Sequence, residues 1–151
     1  MRDGAVKAIT TFFGIGYLPY CPGTWASLAG VGLYFFLRLA PSFVCLGATL
    51  IFIVIGFLTC SRAEEIFLKK DSHYIVIDEV AAMVTVLFFV PQDSMSIGAS
   101  FMLFRIIDIV KPYPIKKIEQ LPGSWGIMID DIVAGVYTVV VLRVISMVMA
   151  K

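Results

Sequence analysis

Five apolar segments, at roughly residues 25–40, 42–60, 74–90, 96–110 and 127–149, constrain this chain more than any motif in it. A helix crossing a bilayer wants about 20 apolar residues, with a range near 17–25. The second, third and fifth segments meet that length directly. The first and fourth are short, so they would tilt little, borrow flanking residues or thin the bilayer. Helices are expected rather than strands, because a spanning segment must satisfy its own backbone and no ten-residue alternation suggests a barrel. Within 1–20, Val6, Ile9, Phe12 and Phe13 with Lys7, Thr10 and Thr11 predict a short helix lying at the interface. The expected fold is a single all-α domain over 1–151, a polytopic helical membrane protein with about five membrane-embedded helices and a short N-terminal interfacial helix.

Composition agrees and removes other classes. Hydrophobic residues make up 60% and charged residues 15%, against roughly 45–50% and 25% in soluble domains. A net charge of +1 supplies no basic field, so nucleic acid is not an expected partner. Cys21, Cys45 and Cys60 are odd in number and form no C-x-x-C, which argues for packing residues rather than a disulfide framework or a zinc site. The first residues are short of apolar length and rich in Gly and Pro, unlike a signal peptide. Gly14-x-Gly16 has neither a preceding strand nor a following G-K, so no nucleotide loop is expected.

Basic residues set the expected orientation. Arg2 and Lys7 precede the first segment, Arg62, Lys69 and Lys70 separate the second and third, and Lys111, Lys116 and Lys117 separate the fourth and fifth. Five spans place all eight on one side, leaving Arg38, Arg143 and Lys151 on the other. The N-terminus and these loops are then cytoplasmic. The same topology brings Asp78 and Glu79, Arg105, Asp108 and Lys111, and Asp130 and Asp131 to one membrane depth, together with the Pro22–Ser27 stretch that opens the first segment.

Energetics turn this coincidence into a candidate site. A carboxylate at a helix centre costs about 2.5–3.5 kcal/mol on insertion scales, so five would cost roughly 12–18 kcal/mol unless paired, metal-bound or near the interface. Asp78, Glu79, Asp108, Asp130 and Asp131 sum to −5, and Arg105 with Lys111 returns +2, leaving −3. Such an excess would repel phosphate unless one or two divalent cations offset it, and an all-oxygen set suits Mg²⁺ or Mn²⁺. The bland alternative is a set of ion pairs between helix ends, which the acidic excess disfavours. Asp78, Ala81, Ala82 and Thr85 share one helical face, as do Asp131, Ala134, Gly135 and Thr138, and small residues let such helices approach closely. Pro112 and Pro114 are expected to end the fourth helix, and Thr24 or Ser27 to cap the first, where free N–H groups favour an anion. His73, the single histidine, reads as a solvated loop residue or as a supporting group beside the acids.

For a phosphate ligand the covalent routes fail on inspection. The residues at the C-x5-R offset are Ser27, Ile51 and Ile66, no D-x-D triplet occurs, and one histidine does not make a histidine-nucleophile pair. Metal-activated water remains, with Lys111 and Arg105 stabilising the transferring phosphoryl group and a free carboxylate taking the proton.

Four motifs then become recognisable in order: Pro22-Gly23-Thr24-x-x-Ser27-Leu28, Ile77-Asp78-Glu79, Phe104-Arg105-x-x-Asp108-x-x-Lys111-Pro112-x-Pro114-Ile115, and Gly126-Ile127-Met128-Ile129-Asp130-Asp131-x-x-Ala134-Gly135. Over about residues 12–140 the chain resembles the phosphatidylglycerophosphatase A family. Ala26 and Ala82 stand where glycines are usual, and Trp125 sits in a loop that is usually glycine-rich. The resemblance implies a multi-pass enzyme of the bacterial cytoplasmic membrane with its active site facing the cytoplasm. That family hydrolyses phosphatidylglycerophosphate to phosphatidylglycerol and inorganic phosphate with Mg²⁺, for which Mn²⁺ is a possible substitute. It further implies that Asp78, Glu79, Asp130 and Asp131 hold the metal, with Asp131 also in the catalytic set. Asp108 is a further ligand or the base, and Lys111 and Arg105 grip a phosphate helped by Thr24 and Ser27. Two other classes make different predictions. A cation transporter or channel would place acids at mid-membrane and on both sides, whereas a structural subunit would use its charges to pair with a partner.

Overall fold

A computed structural model describes residues 2–149; Lys151, counted above for orientation, lies outside the described residues. Among the described residues the chain is all-helical, with seven α-helices, one 3-10 turn at Ile15–Tyr17 and no strand. The helices are α1 Asp3–Thr10, α2 Pro22–Leu37, α3 Ser42–Phe67, α4 Ile77–Phe89, α5 Ser94–Val110, α6 Ile115–Ile118 and α7 Ser124–Met149.

Local chemistry sets most of these limits. Pro22 opens α2 at a position where its missing N–H is no loss. The helix therefore starts before Thr24 and Ser27, and neither caps it; Ser27 Oγ instead donates to Gly23 O at 2.9 Å from inside the helix. The expectation of a Thr24 or Ser27 cap is thus corrected. Asp93 caps α5 by accepting from the Ser96 N–H at 2.9 Å. Lys111 closes α5 in the left-handed region, and Pro112 and Pro114 follow as expected.

The third apolar segment needs a larger correction. It was expected to span directly, yet α4 has 13 residues, about 20 Å of helix against roughly 30 Å of hydrocarbon. Residues before it are held out of the helix, with the Val76 N–H bonded to Thr10 O at 2.8 Å and Ile75 N–H to Ser72 O at 2.7 Å. Pro91 bars continuation at the other end. Ile77, Val80 to Val84, Val86 and Leu87 are all buried, so α4 is apolar all round because it is the core, packed by α2, α3, α5 and α7. Two helices, α3 and α7, are long and apolar enough to cross a membrane. Both leave apolar faces bare, including Leu50, Ile51, Val54 and Leu58 on α3 and Val140, Val144, Ile145 and Val148 on α7.

Contacts between helix ends define the bundle's sense. Gly23 of α2 lies against Glu79 of α4. The Ser61 N–H of late α3 donates to Ser124 Oγ at the start of α7, and the Ser124 N–H returns to Ser61 Oγ, both at 2.8 Å. Lys111 at the end of α5 reaches Asp130 of early α7. Hence α2, α4 and α7 start at the end where α3 and α5 finish. Ala81, Ala82 and Ala134 are fully buried where α4 meets α7, as the small-residue faces predict. At the opposite end Arg143 donates to Phe89 O at 2.8 Å and Arg38 lies 5.3 Å from the Phe35 ring. Cys45 and Cys60 are buried, and all three cysteines are free thiols.

Candidate active site

The start of α4 supplies Asp78 and Glu79, early α7 supplies Asp130 and Asp131, and the last turn of α5 supplies Arg105 and Asp108, with Lys111 as its cap. A cavity of about 270 Å³ opens among them, lined by Asp71, His73, Ile75, Asp78, Glu79, Asp108, Ile109, Lys111, Asp130 and Asp131. Asp78, Asp130 and Asp131 expose 7%, 4% and 3% of their surface, which carboxylates accept only when something compensates them.

Compensation is incomplete within the protein itself. Asp78, Glu79 and Asp131 each place one oxygen within 4.8 Å of the others. Asp78 Oδ1, Glu79 Oε2 and Asp131 Oδ2 are buried with no hydrogen-bond partner. Three close carboxylates with orphaned oxygens fit a hard divalent cation of the Mg²⁺ or Mn²⁺ type, by donor chemistry and by charge. Asp130, from the same sequence pair, faces elsewhere. Its Oδ2 accepts from Lys111 Nζ at 2.8 Å and its Oδ1 from the Asp131 N–H at 3.0 Å.

Two cations border the acids. Lys111 Nζ also meets Glu119 Oε1 at 2.8 Å. Burial would lower the Lys111 pKa, but hydrogen bonds to Asp130 and Glu119 outweigh it and hold the ammonium above its ordinary range. Arg105 Nη1 pairs with Asp108 Oδ2 at 2.9 Å and reaches Ser27 Oγ at 3.4 Å, while its Nε is buried without a partner. Gly23 lies against Glu79 and Arg105. A Cβ there would strike Glu79 Oε1 and come within 3.3 Å of Arg105 Nη1. Ser27 thus touches the site through Arg105. Thr24 is apart from the acids, in an apolar groove with Leu18, Tyr20 and Trp25.

Sequence reasoning missed Asp71 and left His73 undecided; both line the cavity. Asp71 takes a left-handed backbone (φ 45°), and its N–H donates to Glu64 Oε1 at 2.8 Å. Desolvation in the crowded mouth raises its carboxyl above the usual range; Lys111 pulls it down, and Glu119, Glu64 and Asp108 push it up. The signal for both residues was positional. A loop joining the end of α3 to the start of α4 must cross the end of the bundle where the acids gather.

Among the described residues every Asp or Glu inside a helix lies toward this end, and Asp93 at the other end is spent on capping α5, which does not favour a cation path lined by acids. The fold and the pocket define a class: an all-helical bundle with bare apolar faces and a carboxylate-and-cation pocket at one end, suited to phosphate chemistry. Comparison with known proteins narrows it. The family described as phosphatidylglycerophosphatase A matches residues 8–146. Phosphatidylglycerophosphatase A of Haemophilus influenzae is 38% identical over 144 residues, covering 93% of this chain and 88% of its own. The Escherichia coli protein of the same name is 36% identical over 136 residues, covering 89% and 79%. A Bacteroides thetaiotaomicron protein provisionally named phosphatidylinositol-3-phosphatase is 33% identical over 143 residues, covering 90% of each chain. No solved structure matches. The chain belongs to the phosphatidylglycerophosphatase A family and is a phosphatase.

Proposed function

We propose that the protein hydrolyses phosphatidylglycerophosphate to phosphatidylglycerol and inorganic phosphate, using a divalent cation, Mg²⁺ by preference, held by Asp78, Glu79 and Asp131. The observation that carries this reading is the carboxylate trio with three buried, orphaned oxygens beside Lys111 and Arg105. When bound, the cation would neutralise charge on the phosphoryl oxygens and acidify water. Lys111, steadied by Asp130 and Glu119, and Arg105, steadied by Asp108 and Ser27, would hold the phosphoryl group. Asp108 is the candidate to accept the proton of the attacking water. The bond formed joins water oxygen to phosphorus. The bond broken joins phosphorus to the glycerol oxygen, which leaves with a proton.

In the same reading α3 and α7 cross the bilayer, and the shorter α2 and α5 are embedded beside them, with α4 enclosed at the centre. The pocket end lies at cytoplasmic headgroup depth, and lipid reaches it sideways while its acyl chains stay in the membrane. Bare apolar residues on α5, including Met102, Ile106 and Ile109, support this placement.

Phosphate release from phosphatidylglycerophosphate in mixed micelles, with Mg²⁺ and then with EDTA, tests the reading. Release that stops with EDTA and is restored by Mg²⁺ is expected. No release from folded protein with Mg²⁺ or Mn²⁺ overturns it. Phosphatidylinositol 3-phosphate belongs in the assay, because one relative carries that substrate in its name; faster turnover of that lipid would replace the substrate and leave the chemistry.

A further inference from the structure

Among the groups lining the cavity, His73 stands out as a donor without a task. Lys111 and Arg105, the two cations of the proposed phosphate site, also bond the protein's own groups, Lys111 to Asp130 and Glu119 and Arg105 to Asp108 and Ser27. A phosphomonoester carries up to two negative charges and several acceptor oxygens, so a donor added beside Lys111 and Arg105 strengthens its binding. His73 lines the same cavity and, among the described residues, its ring makes no hydrogen bond. An imidazole donates a ring N–H in either protonation state, so this role needs no titration.

The ring is also held in place. It lies against its chain neighbour Tyr74, the rings tilted by 47° with centroids 4.0 Å apart, and the Tyr74 ring meets Tyr17 at 5.3 Å and Phe67 at 5.4 Å. The Tyr74 carbonyl presses on Gly16, where a Cβ would collide with it. On either side, Ser72 is buried and the Val76 N–H is tied to Thr10. His73 itself is exposed, so its ring is open to a ligand while the backbone on either side of it is fixed.

We infer that His73 binds the phosphomonoester group of the substrate at the mouth of the cavity, an inference that rests on the phosphatase reading above. The contact is to phosphoryl oxygen, whether that oxygen belongs to the lipid headgroup or to released phosphate. His73 is outside the acid trio and makes no bond to it, so its loss affects binding and leaves the chemical step in place.

The test compares wild type, His73→Ala and His73→Gln by steady-state hydrolysis in mixed micelles, by inhibition with inorganic phosphate, and by Mn²⁺ binding. His73→Ala should raise KM about tenfold, the worth of one hydrogen bond to a charged group. It should leave kcat within about twofold, and His73→Gln should restore much of the loss. The phosphate inhibition constant should rise as well; a rise there alone assigns the contact to the released product. Unchanged KM and inhibition constant overturn the inference, as does a change in KM alone, which excludes a phosphoryl contact. A fall in kcat at constant KM, or weaker Mn²⁺ binding in step with the loss, also overturns it. Should wild type release no phosphate, the phosphatase reading fails by itself. Inorganic phosphate titrated against the ring nitrogen resonances of His73 then decides the contact independently.

Discussion

At the end of the bundle remote from the cavity, Gln92 Nε2 donates to Leu87 O and Val90 O, both at 2.7 Å, Arg143 donates to Phe89 O, and Asp93 caps α5. Each of these polar side chains closes a helix whose last carbonyls or first N–H groups would otherwise go unmet. At the cavity end the pattern reverses. Asp78 and Asp131 are buried and Glu79 is half-buried, each with a buried oxygen that nothing in the protein answers, although the same helices could have carried Asn or Ala there. One end uses polar atoms for stability; the other holds them at a cost in stability, which is what marks it as the candidate site.

The largest way to break this contrast is Asp131→Asn. Hydrolysis should fall to background while the metal-free protein becomes more stable, by about 1–3 kcal/mol, because a buried charge without a partner is removed. Phosphate release and thermal unfolding in EDTA check the two halves, and loss of activity together with loss of stability would make Asp131 structural. Lys111→Ala should lower kcat by about 10²–10³-fold, read by single-turnover phosphate release. Mg²⁺ at about 100 times its dissociation constant should stabilise wild type by about 2.7 kcal/mol, seen as a higher unfolding midpoint that Asp131→Asn abolishes. Gly23→Ala pushes on Glu79 and should weaken Mn²⁺ binding on the order of tenfold, measured by titration without substrate. At the remote end Arg143→Ala should shift the unfolding midpoint by no more than about 2–4 °C and leave turnover unchanged; a loss of turnover there would erase the distinction between the ends.

The site was more legible than the fold. Carboxylates in apolar surroundings are costly wherever they sit, so Asp78, Glu79, Asp108, Asp130 and Asp131 announce themselves before any helix is placed. Which of them converge was not legible, because it depends on how α4 and α7 are rotated against each other. Asp131 turns to Asp78 and Glu79 while Asp130 turns to Lys111. Helix existence was readable from the apolar runs, and helix limits less so. α3 runs on to Phe67 through Arg62, Glu64 and Glu65, where the apolar run stops but the hydrogen-bonded ladder does not. α4 shows the harder ambiguity, since an apolar run of its length describes a membrane span and a buried core helix equally well.

From the sequence alone came the all-helical class, the acid and cation inventory, and their gathering at one end of the bundle. These rest on local or additive properties: backbone satisfaction in apolar surroundings, the cost of a buried charge, and the alternation of helix direction. The tertiary structure decided that α4 is the core, that Asp78, Glu79 and Asp131 lie together while Asp130 bonds Lys111, that Thr24 stands apart, and that Asp71 and His73 line the cavity. Those outcomes depend on which faces meet and how a loop folds back across helix ends. Residues far apart in the chain settle such questions together, so no local pattern contains the answer.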